Sequence, residues 1–324
     1  MRQAGGIRAT LGNLGRRFVR RAPGFAPVAE TNVVDGDFLH KLDRLSLTLG
    51  RDLINGLMGE HLSTRRTSGI EFADYRQYSA GDDLRRVDWN AYARLGTLHV
   101  RQSQAEHDTI LFLLVDASPS MDFGNPSKFL SARRLAAGLG YIALSHLDSV
   151  VLAAPGAGNR VAPDPFRGRG QSPALFRTMQ DLSVGQALDF DSIMMEWSAQ
   201  RMGGGAVGRL AVIVSDLLLD GWRDGVRNLV TNGFSVTVLH LLSPEELTPP
   251  EDGDFQLEDS ETGERLDVHL GAASLQEYDR RVTAWLDETE AWCQSNAARY
   301  VRLQSDWDIE RTLLDLLRKR GVTA

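Results

Sequence analysis

Three oxygen-bearing side chains at every second position, Asp116, Ser118 and Ser120, follow the apolar run Ile110-Leu111-Phe112-Leu113-Leu114-Val115. One carboxylate and two hydroxyls converging in a loop suit a small hard cation such as Mg²⁺, with Mn²⁺ or Ca²⁺ as alternatives. The run has the length and composition of a strand buried on both faces. The three donors therefore fall at the carboxyl end of a strand, where ligands bind in open parallel sheets. As turn chemistry alone, the same residues would only cap the next helix through Ser120 or Asp122. A second apolar run, Arg209-Leu210-Ala211-Val212-Ile213-Val214-Ser215, ends at Asp216. Two strands of one parallel sheet that both end in Asp bring their carboxylates to one rim. Asp216 could ligate the cation directly or hold a metal-bound water. Asp116 is expected at a solvent-facing edge.

The elements that must position these residues alternate along the chain. Helical periodicity spans Phe38 to Met58 and Ser127 to Leu147, the latter with Ala132, Leu135, Ala136, Leu139 and Ile142 inward. Short strands are expected at Ser149 to Ala154, Phe234 to Leu242 and Tyr300 to Leu303. Helices are expected at Pro173 to Leu182, Phe190 to Met202, Trp222 to Val230, Leu275 to Ala298 and Ile309 to Arg320. Glu261-Thr262-Gly263-Glu264 marks a hairpin between Phe255 to Glu258 and Arg265 to His269. Such alternation implies an α/β fold, with a mostly parallel sheet covered by helices on both faces.

From about Asp108 onward the chain resembles a von Willebrand factor type A domain, a Rossmann-like fold in which Asp-x-Ser-x-Ser opens a metal-ion-dependent adhesion site. By this resemblance Asp116, Ser118 and Ser120 match the first motif, and Asp216 the distal acid. The family also supplies a threonine from a loop that corresponds to Gly185-Gln186-Ala187-Leu188-Asp189-Phe190-Asp191. Leu188 stands in its place. Either an aspartate such as Asp189 substitutes, or the site is weaker than in the family, or it holds no metal.

The segment Ser68 to Trp89, continuing to Arg101, is similar to the signature of a bacterial family known as domain of unknown function fifty-eight, whose members pair it with a von Willebrand A core. Their genes often sit beside one for a MoxR-type AAA+ ATPase, which implies that ATPase or its client as a protein partner. The segment interleaves acids, arginines and aromatics: Glu71, Arg76, Tyr78, Asp82, Asp83, Arg85, Arg86, Asp88, Trp89 and Arg94. Its charges balance, unlike a nucleic-acid patch. Arg–carboxylate pairs packed on rings fit either a clamp fastening an amino-terminal lobe to the core or a partner-docking surface. The expected organisation is a basic, disordered tail over 1–34, an amino-terminal lobe over 35–107 and a von Willebrand A-like domain over 108–324.

Composition limits what else the chain can be. Over 324 residues, 42% hydrophobic and 24% charged content is ordinary for a globular protein, and a net charge of -7 disfavours general binding to nucleic acid or anionic membranes. Cys293 is the only cysteine, so no intrachain disulfide forms, and a cytoplasmic location is expected. No stretch approaches the roughly 18 apolar residues of a membrane span. Arg2, Arg8, Arg16, Arg17, Arg20 and Arg21 make the first segment basic. Gly203-Gly204-Gly205-Ala206-Val207-Gly208 precedes a strand, the reverse of a dinucleotide site. The expectation is a protein-interaction module, not an enzyme. A phosphoester hydrolase built on Asp116 and Asp216 would want an Asp-x-Asp pair and a lysine at the rim, and the local sequence offers neither. A metal-free scaffold is the other alternative.

Overall fold

The computed structural model describes residues 18–20, 32–49, 75–77, 92, 94, 96–101, 109–146, 149–156, 164–185, 208–218, 221–248, 253–259 and 264–318. The chain divides into two units: Met1–Gly59 with Thr109–Ala324, and Glu60–Asp108.

The strands are β1 (Phe18–Arg20), β2 (Tyr75–Gln77), β3 (His99–Arg101), β4 (Thr109–Val115), β5 (Ser149–Ala153), β6 (Phe166–Arg167), β7 (Gly208–Ser215), β8 (Ser235–Leu242), β9 (Gly253–Asp259), β10 (Arg265–Leu270) and β11 (Ala298–Gln304). The helices are α1 (Gly36–Leu49), α2 (Lys128–Ser145), α3 (Ser172–Asp181), α4 (Trp222–Thr231), the single turn α5 (Pro244–Leu247), α6 (Ala272–Ser295) and α7 (Ile309–Arg318). Six strands form the central sheet in the order β11-β8-β7-β4-β5-β6. All neighbours run parallel except β6, which is antiparallel to β5. The expected α/β architecture is therefore present.

The continuous apolar runs pack on both faces, as buried parallel strands require. Leu111, Leu113 and Val115 of β4 join Leu135, Leu139 and Ile142 of α2, Leu175 and Met179 of α3, and Leu313 of α7. The alternate residues, Phe112 and Leu114, meet Trp222, Val226 and Leu229 of α4 and Cys293 of α6. Each large side chain buried in this way contributes about 1.5–3 kcal/mol. The Cys293 thiol lies fully inside this second layer, and burial pushes it up to about 12. It is therefore expected to stay unmodified by a thiol-reactive dye in the native protein and to react only in denaturant. Rapid labelling of the native protein would contradict its place in the packing.

Two boundaries differ from those the sequence suggests. Phe38, Leu42 and Leu45 of α1 belong to the same apolar cluster as α2 and α7, so this helix is part of the main unit rather than of a lobe over 35–107. The stripe announces a buried face but not its partner. Phe18–Arg20, expected in a disordered tail, pairs antiparallel with Leu257–Asp259 of β9, which also pairs with β10 in the expected hairpin. In the smaller unit β2 and β3 pair antiparallel, with Arg76 opposite Val100. The helix expected over Phe190 to Met202 lies outside the described residues. Among those residues, no helix is long and apolar enough to cross a membrane.

Candidate functional site

The sheet itself assembles the rim. Connections leave β4 toward β5 on one side and β7 toward β8 on the other, so the carboxyl ends of β4 and β7 flank the topological switch point, where a crevice forms. Register sets the chemistry in rows: Val115 lies opposite Val214, and Ser215 opposite His240. The Asp116 N–H extends the ladder by donating to the Val214 carbonyl at 3.0 Å. Pro119–Asp122 then forms a short 3-10 turn, and Ser127, not Ser120 or Asp122, caps α2 by accepting from the Leu130 N–H at 3.2 Å.

Neighbouring loops fix the Asp116–Ser118 backbone. The Ala117 N–H donates to the Pro155 carbonyl at 2.8 Å, and the Ala117 carbonyl accepts from the Gly185 N–H at 3.0 Å. Gly185 is the first residue of the stretch matched to the family's threonine loop, and the rest of that stretch lies outside the described residues. Arg133 anchors the approach to it. This buried guanidinium donates to the carbonyls of Gln180 and Leu182 at 3.3 and 3.2 Å and stacks 4.5 Å from the Phe129 ring. Gly156 supports the loop from beneath. It has φ +95, and a Cβ there would lie 2.6 Å from the Ala117 carbonyl carbon and oxygen. Both the backbone conformation and the contact demand glycine. Gly156→Ala is expected to lower stability by roughly 2 kcal/mol, read by urea denaturation, and an unchanged midpoint would contradict the close approach.

The four expected donors Asp116, Ser118, Ser120 and Asp216 are brought together. Asp116 accepts from the Ser118 N–H at 2.8 Å and, through its other oxygen, from the Ser215 hydroxyl at 2.6 Å. The Ser118 and Ser120 hydroxyl oxygens are 3.1 Å apart. Asp216 accepts from the Leu218 N–H at 3.1 Å and from the Ser120 hydroxyl. Between them, Leu217 takes φ 57, an uncommon conformation for a residue with a side chain, tied down by the Ser215 hydroxyl accepting from its N–H at 2.9 Å. Asp189 lies outside the described residues. So do Glu71, Tyr78, Asp82, Asp83, Arg85, Arg86, Asp88 and Trp89 of the expected partner surface. Arg76 lies in β2, and Arg94 is exposed.

Two expectations are corrected. Asp116 does not face solvent: it and Asp216 are 0% exposed, and Ser118 and Ser120 are 1% exposed. A lysine does stand at the site. Lys128, the first residue of α2, is fully buried with its ammonium 2.8 Å from an Asp216 oxygen and 2.5 Å from a Glu246 oxygen. Glu246 comes from α5, where its other oxygen accepts from the Ser243 N–H at 2.7 Å in a capping box. Burial disfavours the Lys128 ammonium, but Asp216 and Glu246 more than offset it and hold its pKa above the ordinary value. Burial likewise pushes the Asp216 carboxyl up, and Lys128 more than reverses this, so it stays ionised.

Among the described residues, Asp116 has no such partner. Burial and the neighbouring Asp216 charge raise its carboxyl to about 7, against the opposing pull of Ser215 and Ser118. His240 lends no charge either, because burial lowers it to about 4. Its Nε2 sits 3.0 Å from the Asp216 carbonyl, which can only accept, so Nε2 carries the proton and Nδ1 accepts from the Tyr300 hydroxyl at 2.8 Å. These contacts give His240 a structural role. Among the described residues, Asp216 and Glu246 thus share the Lys128 ammonium, and Asp116 has none beside it. The surplus negative charge, with two hydroxyl oxygens beside it, fits a small hard cation. Among the described residues, no group of three or more His, Cys, Asp or Glu is arranged to hold a metal. A cation here would depend on the serine oxygens.

Residues 74–285 match the family described as "Protein of unknown function DUF58". The chain belongs to this family. This DUF58 chain is 28% identical over 297 residues to uncharacterized protein Mb1516 of Mycobacterium bovis, covering 87% of this chain and 90% of that protein. Among solved structures it is similar to conserved hypothetical protein BatB from Bacteroides thetaiotaomicron, at 15% identity and a TM-score of 0.39, over 64% of this chain and 96% of that one. It is also similar to the SpRpn10 VWA domain, at 16% identity and a TM-score of 0.38, over 67% and 99% of the two chains.

Proposed function

We propose that this DUF58 chain is a protein-interaction module whose switch-point rim holds a divalent cation, Mg²⁺ before Mn²⁺ or Ca²⁺. The partner is a MoxR-type AAA+ ATPase or its client, and the pair acts in protein remodelling or maturation. The observation that carries the cation is the charge imbalance: Asp116 and Asp216 are both fully buried at one rim, and among the described residues only Asp216 has an ammonium beside it. Asp116, Ser118, Ser120 and Asp216 would hold the ion. When bound, it supplies a positive centre for a partner's carboxylate. The chain's own residues do the rest. Ser215 and the Ser118 N–H orient Asp116, Lys128 keeps Asp216 ionised, and His240 fixes the backbone at Asp216. Because all four donors are covered, partner contact requires the 216–218 loop to move. The left-handed backbone of Leu217, φ 57, supports taking this turn as the segment that moves.

The partner follows from the resemblance of the 68–101 segment to a family encoded beside such ATPases. The test is co-purification of a MoxR-type ATPase from the same genome with the full chain, in Mg²⁺ and in EDTA. Capture in Mg²⁺ that is lost in EDTA supports both halves of the reading. Capture that survives EDTA supports instead a metal-free scaffold, for which Lys128 already supplies a cation at the rim. Lys128 does not favour phosphoester chemistry, because its ammonium is committed to two carboxylates. Metal-dependent turnover of a generic phosphomonoester would overturn the non-enzymatic reading.

A further inference from the structure

Lys128 is one of only three lysines in a chain with 36 basic residues. It occupies the first position of α2, where the helix dipole disfavours a cation. A buried ion pair is also weak evidence of stability, since apolar residues of similar volume commonly do as well. Neither propensity nor packing therefore explains this residue. Its position does. The ammonium joins three segments that close the rim: its own, following β4; Asp216, following β7; and Glu246, following β8. The oxygen of Asp216 that it engages belongs to one of the four donors at the rim, while Glu246 stands outside that set.

We propose that Lys128 is the built-in cation of the rim, competing with a bound divalent ion for Asp216 and so setting how tightly that ion is held, with Glu246 as the alternative seat for its ammonium. This rests on the reading of the rim as a cation site. An ion that draws on Asp216 must share it with the ammonium at close range, where like charges repel strongly. Glu246 relieves that repulsion by giving the ammonium a second carboxylate. Removing the lysine and removing the second seat therefore act in opposite directions.

The test is calorimetric titration of Mn²⁺ alone into the full chain and into Lys128→Met and Glu246→Gln. Lys128→Met is expected to bind Mn²⁺ at least about tenfold more tightly than wild type, because a positive charge beside the ion is gone. Its thermal midpoint should fall without metal and recover with saturating Mn²⁺, whereas the wild-type midpoint moves less. Glu246→Gln keeps a side-chain oxygen for the Ser243 cap, so it serves even if Lys128→Met folds poorly. It should bind at least about fivefold more weakly, because the ammonium then rests on Asp216 alone. Binding by Lys128→Met but not by wild type would support competition while overturning the metal-loaded reading of the native chain. Wild-type dissociation constants in both variants would overturn the role of Lys128 and leave the cation site standing. No binding by any of the three would overturn both.

Discussion

Lys128→Met is expected to cost the metal-free protein about 3–5 kcal/mol of unfolding free energy, because it removes one partner of a buried ion pair and leaves the other uncompensated. Asp216 is fully buried, and the ammonium at 2.8 Å is what keeps its carboxyl ionised there. Without it, Asp216 must either protonate or draw in water, and both distort the Ser215–Leu218 turn. Glu246 loses the same partner but is partly exposed, so its share of the cost is small. The companion variant Lys128→Met with Asp216→Asn removes both charges of the pair. It should recover most of the lost stability, since the two residues touch and their effects do not add. Urea denaturation of the two singles and the double measures the coupling. Additive losses would show that the ion pair does not organise the rim.

Asp116→Asn is expected to reduce divalent-cation affinity on the order of 100-fold, about 2.7 kcal/mol, and with it partner capture, while leaving stability unchanged or slightly higher. The amide is nearly isosteric. Its oxygen can still accept from the Ser118 N–H, and its NH₂ can donate to the Ser215 hydroxyl that Asp116 now accepts from. What disappears is a formal charge that burial and Asp216 both oppose, which removes a penalty from the metal-free fold. Alanine is the poorer probe, because it leaves the buried Ser118 N–H and Ser215 hydroxyl without their acceptor, at about 1–3 kcal/mol. Full capture of the partner by a folded Asp116→Asn protein would separate recognition from the rim.

The parts of this site legible in the sequence are those encoded by local pattern. A two-sided apolar run ending in an acid marks both β4 and β7, and Asp-x-Ser-x-Ser announces hard donors in one short loop. Strand–helix alternation was enough for the layers, and Glu261 to Glu264 for the hairpin, because each signal lies within a few residues. Lys128, Glu246, Ser215 and Gly156 were not legible in the same way. Lys128 meets Asp216 and Glu246 across separations of 88 and 118 residues, and only strand order and register bring them together. Ser215 looks like one more strand residue until register sets it beside Asp116. Lys128 did carry a signal: a rare lysine in an arginine-rich chain, placed where a helix prefers an acid. Such local violations mark functional or strained positions. The burial of the rim was illegible too, because a residue following a strand can be covered by loops from anywhere in the chain. The same limit applies to α1, whose apolar stripe shows that one face is buried but not that α2 and α7 cover it.

The most direct test of the central claim, that the rim is a cation site, is a calorimetric Mg²⁺ and Mn²⁺ titration of the wild type beside Asp116→Asn. The proposed cation site requires saturable one-site binding to the wild type and its loss in the variant, with both proteins folded by circular dichroism. Identical titrations for the two proteins, or no heat of binding to the wild type by either ion, would contradict it.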